Sequence, residues 1–174
     1  MSAIQRPGSD EFAPFYANYV NGVPDGDVVD NLKQQAADLR TLLQGVDARQ
    51  AEHRYAAGKW SVKEVLGHVS DSERIFAYRA LRISRGDATP LATFDQDTYV
   101  VNAQFGRRPL ASLLAEFEAV RAATISLFQA MTDEESRRAG TASSAPVTAR
   151  ALAFISAGHE RHHTRILRER YLAS

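Results

Sequence analysis

The spacing of apolar residues along the chain predicts four long helices. In four segments, apolar side chains recur every three or four residues, which is the spacing of one helix face. These segments cover about residues 28–44, 61–84, 110–131 and 147–172. The longest connection between them has about twenty residues. The pattern predicts an all-α protein that folds as a four-helix bundle.

Helix-start signals agree with these segments. Asp27 is placed to cap the first helix, and Gly45 follows its last apolar residue. Ser61 and Glu64 form a capping box at the start of the second helix, where each side chain bonds the backbone of the other residue. A second capping box begins at Thr132 and predicts a further short helix.

The remaining segments are predicted to be mostly irregular. Residues 1–26 contain three prolines and predict an arm with one short helix at about residues 11–19. The long connection is expected to hold a short helix at residues 95–103, and residues 140–146 to form a loop. No segment is predicted to be a strand. We therefore expect the arm to be followed by one bundle domain over residues 27–174.

Composition limits the classes of function. The chain has 174 residues, a formal net charge of zero and no cysteine. The charge balance gives no reason to expect nucleic acid or a membrane as a partner, and no apolar run is long enough to span a bilayer. The N-terminus lacks the pattern of a signal peptide, so we expect a cytoplasmic protein. Its expected partner is a small-molecule substrate. The neutral surface weakly favours a homodimer.

Four of the five histidines lie in two short segments. His159 and His163 are one helical turn apart, in the middle of the apolar stripe of the last helix. His68 points into the bundle from the second helix. Buried imidazoles need partners, and without cysteine a metal site must use histidine or carboxylate. These three histidines are the predicted metal ligands, whereas His162 falls on the flank and His53 in a polar stretch.

The last helix also matches the zinc-protease pattern H-E-x-x-H, from His159 to His163. Such a protease needs a third ligand downstream, and only eleven residues follow. Glu160 lies at the edge of the metal face, where a solvated surface glutamate is the expected interpretation. The sequence therefore predicts that the protein is not a peptidase.

Two segments resemble the DinB/YfiT-like superfamily. The stretch Trp60-Ser-Val-Lys-Glu-Val-Leu-Gly-His-Val-Ser-Asp-Ser-Glu-Arg74 is similar to its first metal-ligand helix, and Gly158-His-Glu-Arg-His-His-Thr-Arg-Ile-Leu167 to its last. The resemblance covers roughly residues 28–172. It implies a four-helix bundle with a divalent metal ion held by His68, His159 and His163. Related families include bacillithiol S-transferases, mycothiol-dependent isomerases and proteins called metal-dependent hydrolases.

Three neutral ligands would leave a metal ion its full charge and an open position, which suits activation of water or of a thiol. Nitrogen ligands suit zinc or nickel. Asp71 is a candidate catalytic residue that could orient a ligand or accept a proton, or else a helix-surface carboxylate. Arg79 could meet an anionic substrate, although an ion-paired or solvent-reaching arginine is the expected interpretation. The expected cavity walls are Val65, Ile75, Leu152 and Ile155.

Two classes of function remain open from the sequence. The first is an enzyme that activates a small thiol, as a thiol S-transferase, or water, as a hydrolase, against a small electrophile. A thiol would have to be a low-molecular-weight cosubstrate, because the chain has no cysteine of its own. The second is a non-catalytic metal-binding protein of a stress response.

Overall fold

The computed structural model describes residues 4–173 and has the predicted four-helix bundle. The helices in chain order are α1 (Ala17–Asn21), α2 (Val28–Leu43), α3 (Ala48–Glu52), α4 (Val62–Ser84), α5 (Gln96–Ala103), α6 (Leu110–Gln129), α7 (Asp133–Arg137) and α8 (Ala149–Ile166). The four long helices of the bundle are α2, α4, α6 and α8. Within residues 4–173, no helix combines the length and the apolar character needed to cross a bilayer.

The predicted caps form as expected. Asp27 caps α2 through the backbone N–H of Val29. At α4, the N–H of Ser61 donates to Glu64 at 2.7 Å and the N–H of Glu64 donates to the Ser61 hydroxyl at 3.3 Å. The Thr132 capping box begins α7. The short helix α3 was not predicted, because its segment has no apolar periodicity.

The prediction that the chain has no strand was wrong. Strands β1 (Ala139–Ala142) and β2 (Ala145–Thr148) pair antiparallel in a hairpin. Its two-residue turn holds Ser143 and Ser144 at left-handed φ angles of 51° and 63°. Such turns usually carry Asn-Gly, so a Ser-Ser pair gives no hairpin signal. Because β2 includes Val147, the last long helix begins later than predicted.

The arm also differs from its prediction. In place of a helix at residues 11–19, a 3-10 turn spans Pro14–Tyr16 and leads into α1. The residue before a proline is restricted to extended backbone, and Ala13 has φ −60° and ψ 141°. The helix therefore cannot begin before Pro14. The arm is anchored to the start of α8 by Glu11, which accepts hydrogen bonds from Thr148 and Arg150.

A layer of polar side chains crosses the middle of the bundle between two apolar clusters. One cluster includes Leu32, Phe76, Phe128 and Ile155. The other includes Leu39, Val69, Phe117 and Leu167. Each long helix contributes a buried polar residue at a position between these two sets. The four polar residues are Gln35, Glu73, Arg121 and Glu160, and none is more than 7% exposed.

A buried ion pair forms the centre of this polar layer. Arg121 Nε and Nη2 donate to the two carboxylate oxygens of Glu73, each at 2.7 Å. Arg121 Nη1 donates to the carbonyl oxygen of Leu32 at 2.9 Å. The guanidinium thereby joins α6 to α4 and to α2. Two parallel charge-assisted hydrogen bonds fix the relative position of these helices.

Replacing Glu73 by glutamine should destabilise the protein strongly. The change removes the carboxylate that accepts both parallel hydrogen bonds of Arg121, and breaking a buried ion pair typically costs about 3–5 kcal/mol. Urea unfolding followed by circular dichroism measures the change in the free energy of unfolding.

The control is Glu118→Gln. Glu118 pairs with Arg40 between α6 and α2, but the Arg40 side chain is 55% exposed. Exposed pairs contribute only about 0–1 kcal/mol. Equal losses of stability in the two variants would contradict the central role of the buried pair.

Candidate metal centre

The three histidines singled out in the sequence come together in the structure. His68 projects from α4, and His159 and His163 project from successive turns of α8. Ring nitrogens of all three lie within 4.8 Å of one another. The Nε2 atoms of His68 and His159 are 3.0 Å apart. The two helices thus direct three imidazoles at one small volume.

All three imidazoles are held in the neutral form. Burial lowers the pKa of His68 to about 4. Burial, with the neighbouring His68 and His162, lowers the pKa of His163 to about 3. The pKa of His159 lies well below its usual value for the same reason, with its three histidine neighbours adding to the effect. At neutral pH each ring therefore has one nitrogen lone pair free to bind a cation.

Aromatic and hydroxyl side chains pack against the rings of His68 and His159. The Trp60 ring lies 4.7 Å from that of His68, and the Tyr19 and Phe76 rings lie 5.5 and 5.6 Å from that of His159. Ser72 Oγ is 3.4 Å from His68 Nδ1. A contact at Nδ1 would leave Nε2 for a ligand. Ser72 follows His68 by four residues and therefore lies on the same helix face, whereas nothing in the sequence indicated Tyr19.

The donor set fits a divalent transition metal ion. With metal–nitrogen bonds of about 2.0–2.1 Å, two ligands of a tetrahedral site stand about 3.3–3.4 Å apart. The 3.0 Å separation of the Nε2 atoms of His68 and His159 is close to that value. Among the described residues, the cluster contains no carboxylate. Neutral nitrogen ligands are those preferred by zinc, nickel and copper rather than by magnesium or calcium.

The structure places Asp71 and His162 outside this cluster. The Asp71 carboxylate pairs with Arg74 at 3.2 Å, and within residues 4–173 it has no hydrogen bond to a histidine. Burial raises the pKa of Asp71, and Arg74 opposes that rise. The catalytic role of Asp71 therefore stays a prediction. The His162 ring packs beside Tyr19 at 5.4 Å, on the flank of the site.

The expectation that Glu160 is a solvated surface residue was wrong. The residue is 1% exposed, because α2 packs over that side of α8. Thr164 donates a hydrogen bond to Glu160 Oε1 at 2.5 Å. Burial raises the pKa of Glu160 to about 7, although Arg121 and Thr164 act in the opposite direction. Glu160 thus belongs to the polar layer of the bundle.

Two cavities reach the histidine cluster. One, of about 280 Å³, touches His159 and is lined by aromatic side chains of the arm and by Ser72, Phe94 and Ser143. The other, of about 240 Å³, touches His163 and is lined by Trp60 and Val65 among others. The predicted walls were therefore only partly right. Val65 lines the second cavity, whereas Leu152 and Ile155 are buried in the apolar core.

Comparison with known proteins identifies the family of this chain. Residues 31–167 match the sequence profile of the DinB superfamily. The chain belongs to the DinB superfamily. The histidine cluster lies in α4 and α8, both inside the matched segment.

One relative of this chain comes from Geobacillus kaustophilus (strain HTA426). It is named "Putative metal-dependent hydrolase" and is 25% identical over 132 residues, or 74% of this chain and 73% of the relative. The name describes that relative alone, because 25% identity does not show that two proteins share an activity.

Two solved structures share the fold. YfiT from Bacillus subtilis, described as a probable metal-dependent hydrolase with an unusual four-helix bundle topology, has a TM-score of 0.74 at 16% identity. The match covers 95% of this chain and 93% of YfiT. A mycothiol-dependent maleylpyruvate isomerase has a TM-score of 0.65 at 13% identity, covering 79% of this chain and 58% of the isomerase. This chain therefore corresponds to little more than half of the isomerase.

Replacing Gly158 by alanine should displace the arm from the histidine cluster. A Cβ atom at Gly158 would lie 2.0 Å from the carbonyl oxygen of Tyr19, so α1 would have to move away from α8. Overpacking of this kind typically costs about 1–3 kcal/mol. Thermal unfolding measures the loss, and quenching of tyrosine fluorescence by acrylamide reports the exposure of the arm.

Gly45→Ala is the matched control. No atom lies within 4 Å of a Cβ atom built at Gly45. We expect its stability and its tyrosine quenching to remain those of the unaltered protein. An unchanged Gly158→Ala variant would show that α1 does not pack on α8 in solution as it does in the structure.

Proposed function

We propose that the protein is a metal-dependent enzyme whose ion is held by His68, His159 and His163, and that it activates a small thiol or water for attack on a small electrophile. The observation that carries this proposal is the convergence of three neutral imidazoles, two of which, His159 and His163, each line a cavity. When bound, a zinc or nickel ion lowers the pKa of water or of a thiol.

The surrounding residues prepare this site in three ways. Ser72 Oγ lies 3.4 Å from Nδ1 of His68, and when Nδ1 carries the ring proton and donates to this oxygen, Nε2 is left free for a ligand. Trp60 and Phe76 restrict the orientation of the rings, so little entropy is lost when a ligand binds. The aromatic walls limit the access of bulk water and strengthen electrostatic interactions inside the site.

Thiol transfer is the version of this function that the two cavities favour. A reaction between a thiol and an electrophile needs two binding places, and separate cavities touch His159 and His163. The chain has no cysteine, so the thiol would be a low-molecular-weight cosubstrate. The solved isomerase of the same fold depends on mycothiol, which agrees with this version.

Hydrolysis is the second candidate function. It requires water and a single organic substrate, and the cavity beside His159 alone would suffice for that substrate. The Geobacillus kaustophilus relative carries the name of a metal-dependent hydrolase. A metal-binding protein without catalysis is a third outcome that the experiments below can reveal.

Each chain should bind one divalent metal ion. We expect His68→Ala, His159→Ala and His163→Ala to lose most of the ion, because two imidazoles bind it far less tightly than three. His162→Ala is the matched control within the same helical turn and should keep the ion. Elemental analysis of the purified variants measures the amount of metal bound per chain. A metal-free His162→Ala protein beside a loaded His163→Ala protein would contradict the ligand assignment.

Activity should depend on the same residues. The assay mixes the metal-loaded protein with several low-molecular-weight thiols and monochlorobimane, and in parallel with a chromogenic ester and no thiol. We expect thiol-dependent turnover that falls at least a hundredfold in His68→Ala and is unchanged in His53→Ala, whose exposed histidine lies outside the cluster.

The pattern of rates separates the candidate functions. Ester cleavage without thiol, lost in His68→Ala, would support the hydrolase instead. Equal rates for the unaltered protein and His68→Ala in every mixture would leave only metal binding without catalysis.

A further inference from the structure

Arg79 carries a buried positive charge that has no carboxylate partner. The residue is 3% exposed, and within residues 4–173 it takes part in no ion pair. The expectation that this arginine is ion-paired or reaches solvent was therefore wrong. An unpaired buried charge costs several kcal/mol, roughly, so a fold retains it only where something compensates the charge.

Hydrogen bonds orient the guanidinium of Arg79 but occupy only one of its three nitrogen atoms. Its Nη2 donates to the carbonyl oxygen of Ala92 at 2.6 Å and to Ser143 Oγ at 3.0 Å, and the group lies 5.8 Å from the Phe94 ring centroid. In the described part of the chain, acceptors are found for Nη2 alone. Nε and Nη1 thus remain available to a ligand.

The position of Arg79 connects it to the cavity beside His159. Ser143 and Phe94, which contact the guanidinium, also line that cavity. Arg79 itself lines an adjoining cavity of about 310 Å³, and the two cavities share Thr93 and Phe94. A ligand in this pair of cavities could therefore contact Arg79 at one end and the histidine cluster at the other.

Ser143 is a second residue that points to a ligand site beside Arg79. It occupies a left-handed position in the hairpin turn, where glycine or asparagine would be less strained. The serine hydroxyl accepts from Arg79, so the strained position holds a group that faces the guanidinium. A glycine would satisfy the turn and leave that contact unmade.

We propose that Arg79 and Ser143 form an anion subsite that binds the carboxylate of a small, partly aromatic substrate beside the histidine cluster. A planar guanidinium matches a carboxylate in shape and hydrogen bonding. The other arginine of the adjoining cavity, Arg82, is already paired with Asp87, so only one positive charge is uncompensated. One charge favours a monoanionic carboxylate over a phosphate dianion. The subsite deepens the proposed function, because it names the substrate class of the same site.

The first test compares two probes that differ in charge but hardly in shape. Isothermal titration calorimetry of the full chain measures the binding of phenylacetate and of phenylacetamide at constant ionic strength. We expect phenylacetate to bind at least tenfold more tightly. Equal affinities would overturn the proposal.

Variants then locate the charge that binds the carboxylate. Arg79→Gln should remove the preference for phenylacetate, and Ser143→Ala should weaken phenylacetate binding about three- to tenfold. Arg82→Gln is the matched control, and its preference should be that of the unaltered protein. If Arg79→Gln does not fold, Ser143→Ala and the two probes on the unaltered protein still test whether this subsite binds the carboxylate. A folded Arg79→Gln protein that keeps the preference would overturn the proposal.

Chelator-treated protein separates this subsite from the metal centre. We expect the preference for phenylacetate to persist without metal, because Arg79 rather than an ion supplies the positive charge. A preference that disappears on metal removal but survives in Arg79→Gln would place the carboxylate on the ion and overturn the proposal. Binding is measured without turnover, so an inactive protein would contradict the proposed function and leave this result intact.

Discussion

The structure depends on a layer of buried polar side chains, which must find their hydrogen-bond partners inside an otherwise apolar bundle. The ion pair between Glu73 and Arg121 forms its centre and joins three of the four long helices. A buried pair gains little over apolar packing, but breaking it is costly, so it selects one arrangement of the helices. The helix α8 is tied to the same layer by Gln35 of α2, whose Nε2 donates to the carbonyl oxygen of Ala157 at 3.0 Å. In this arrangement α4 and α8 present their histidines to each other. The site therefore inherits its geometry from a contact outside it.

Burial explains the chemistry of the imidazoles. It lowers the pKa of His68 and His163 far below neutrality. Neutral rings packed this closely do not repel one another as imidazolium ions would, and they offer lone pairs to a cation. The packing of the bundle thus prepares a metal site at the expense of apolar contacts in the middle of the core.

The cavities connect the short elements of the fold to this centre. Aromatic side chains of the arm, including Tyr19, form one wall of the cavity beside His159, and the hairpin residue Ser143 forms another. The bundle supplies the histidines, whereas the arm, the hairpin and the α4–α5 connection supply the surfaces that a substrate would meet. The match to the DinB superfamily covers both histidine-bearing helices. Connections and short surface elements generally vary more than the helices that they join.

The sequence by itself determined the helices and the inward direction of the histidines. Periodicity and caps located α2, α4 and α6, and the start of α8, to within a few residues. The angular positions of His68, His159 and His163 placed them on facing stripes. Only the tertiary structure decided what covers each face: α2 buries Glu160, and the hairpin leaves Arg79 without a counter-ion. A helical pattern records which side of one helix is apolar, but burial and charge compensation depend on residues distant in sequence. Contacts between residues distant in sequence follow from the packing of the helices, which local periodicity does not encode.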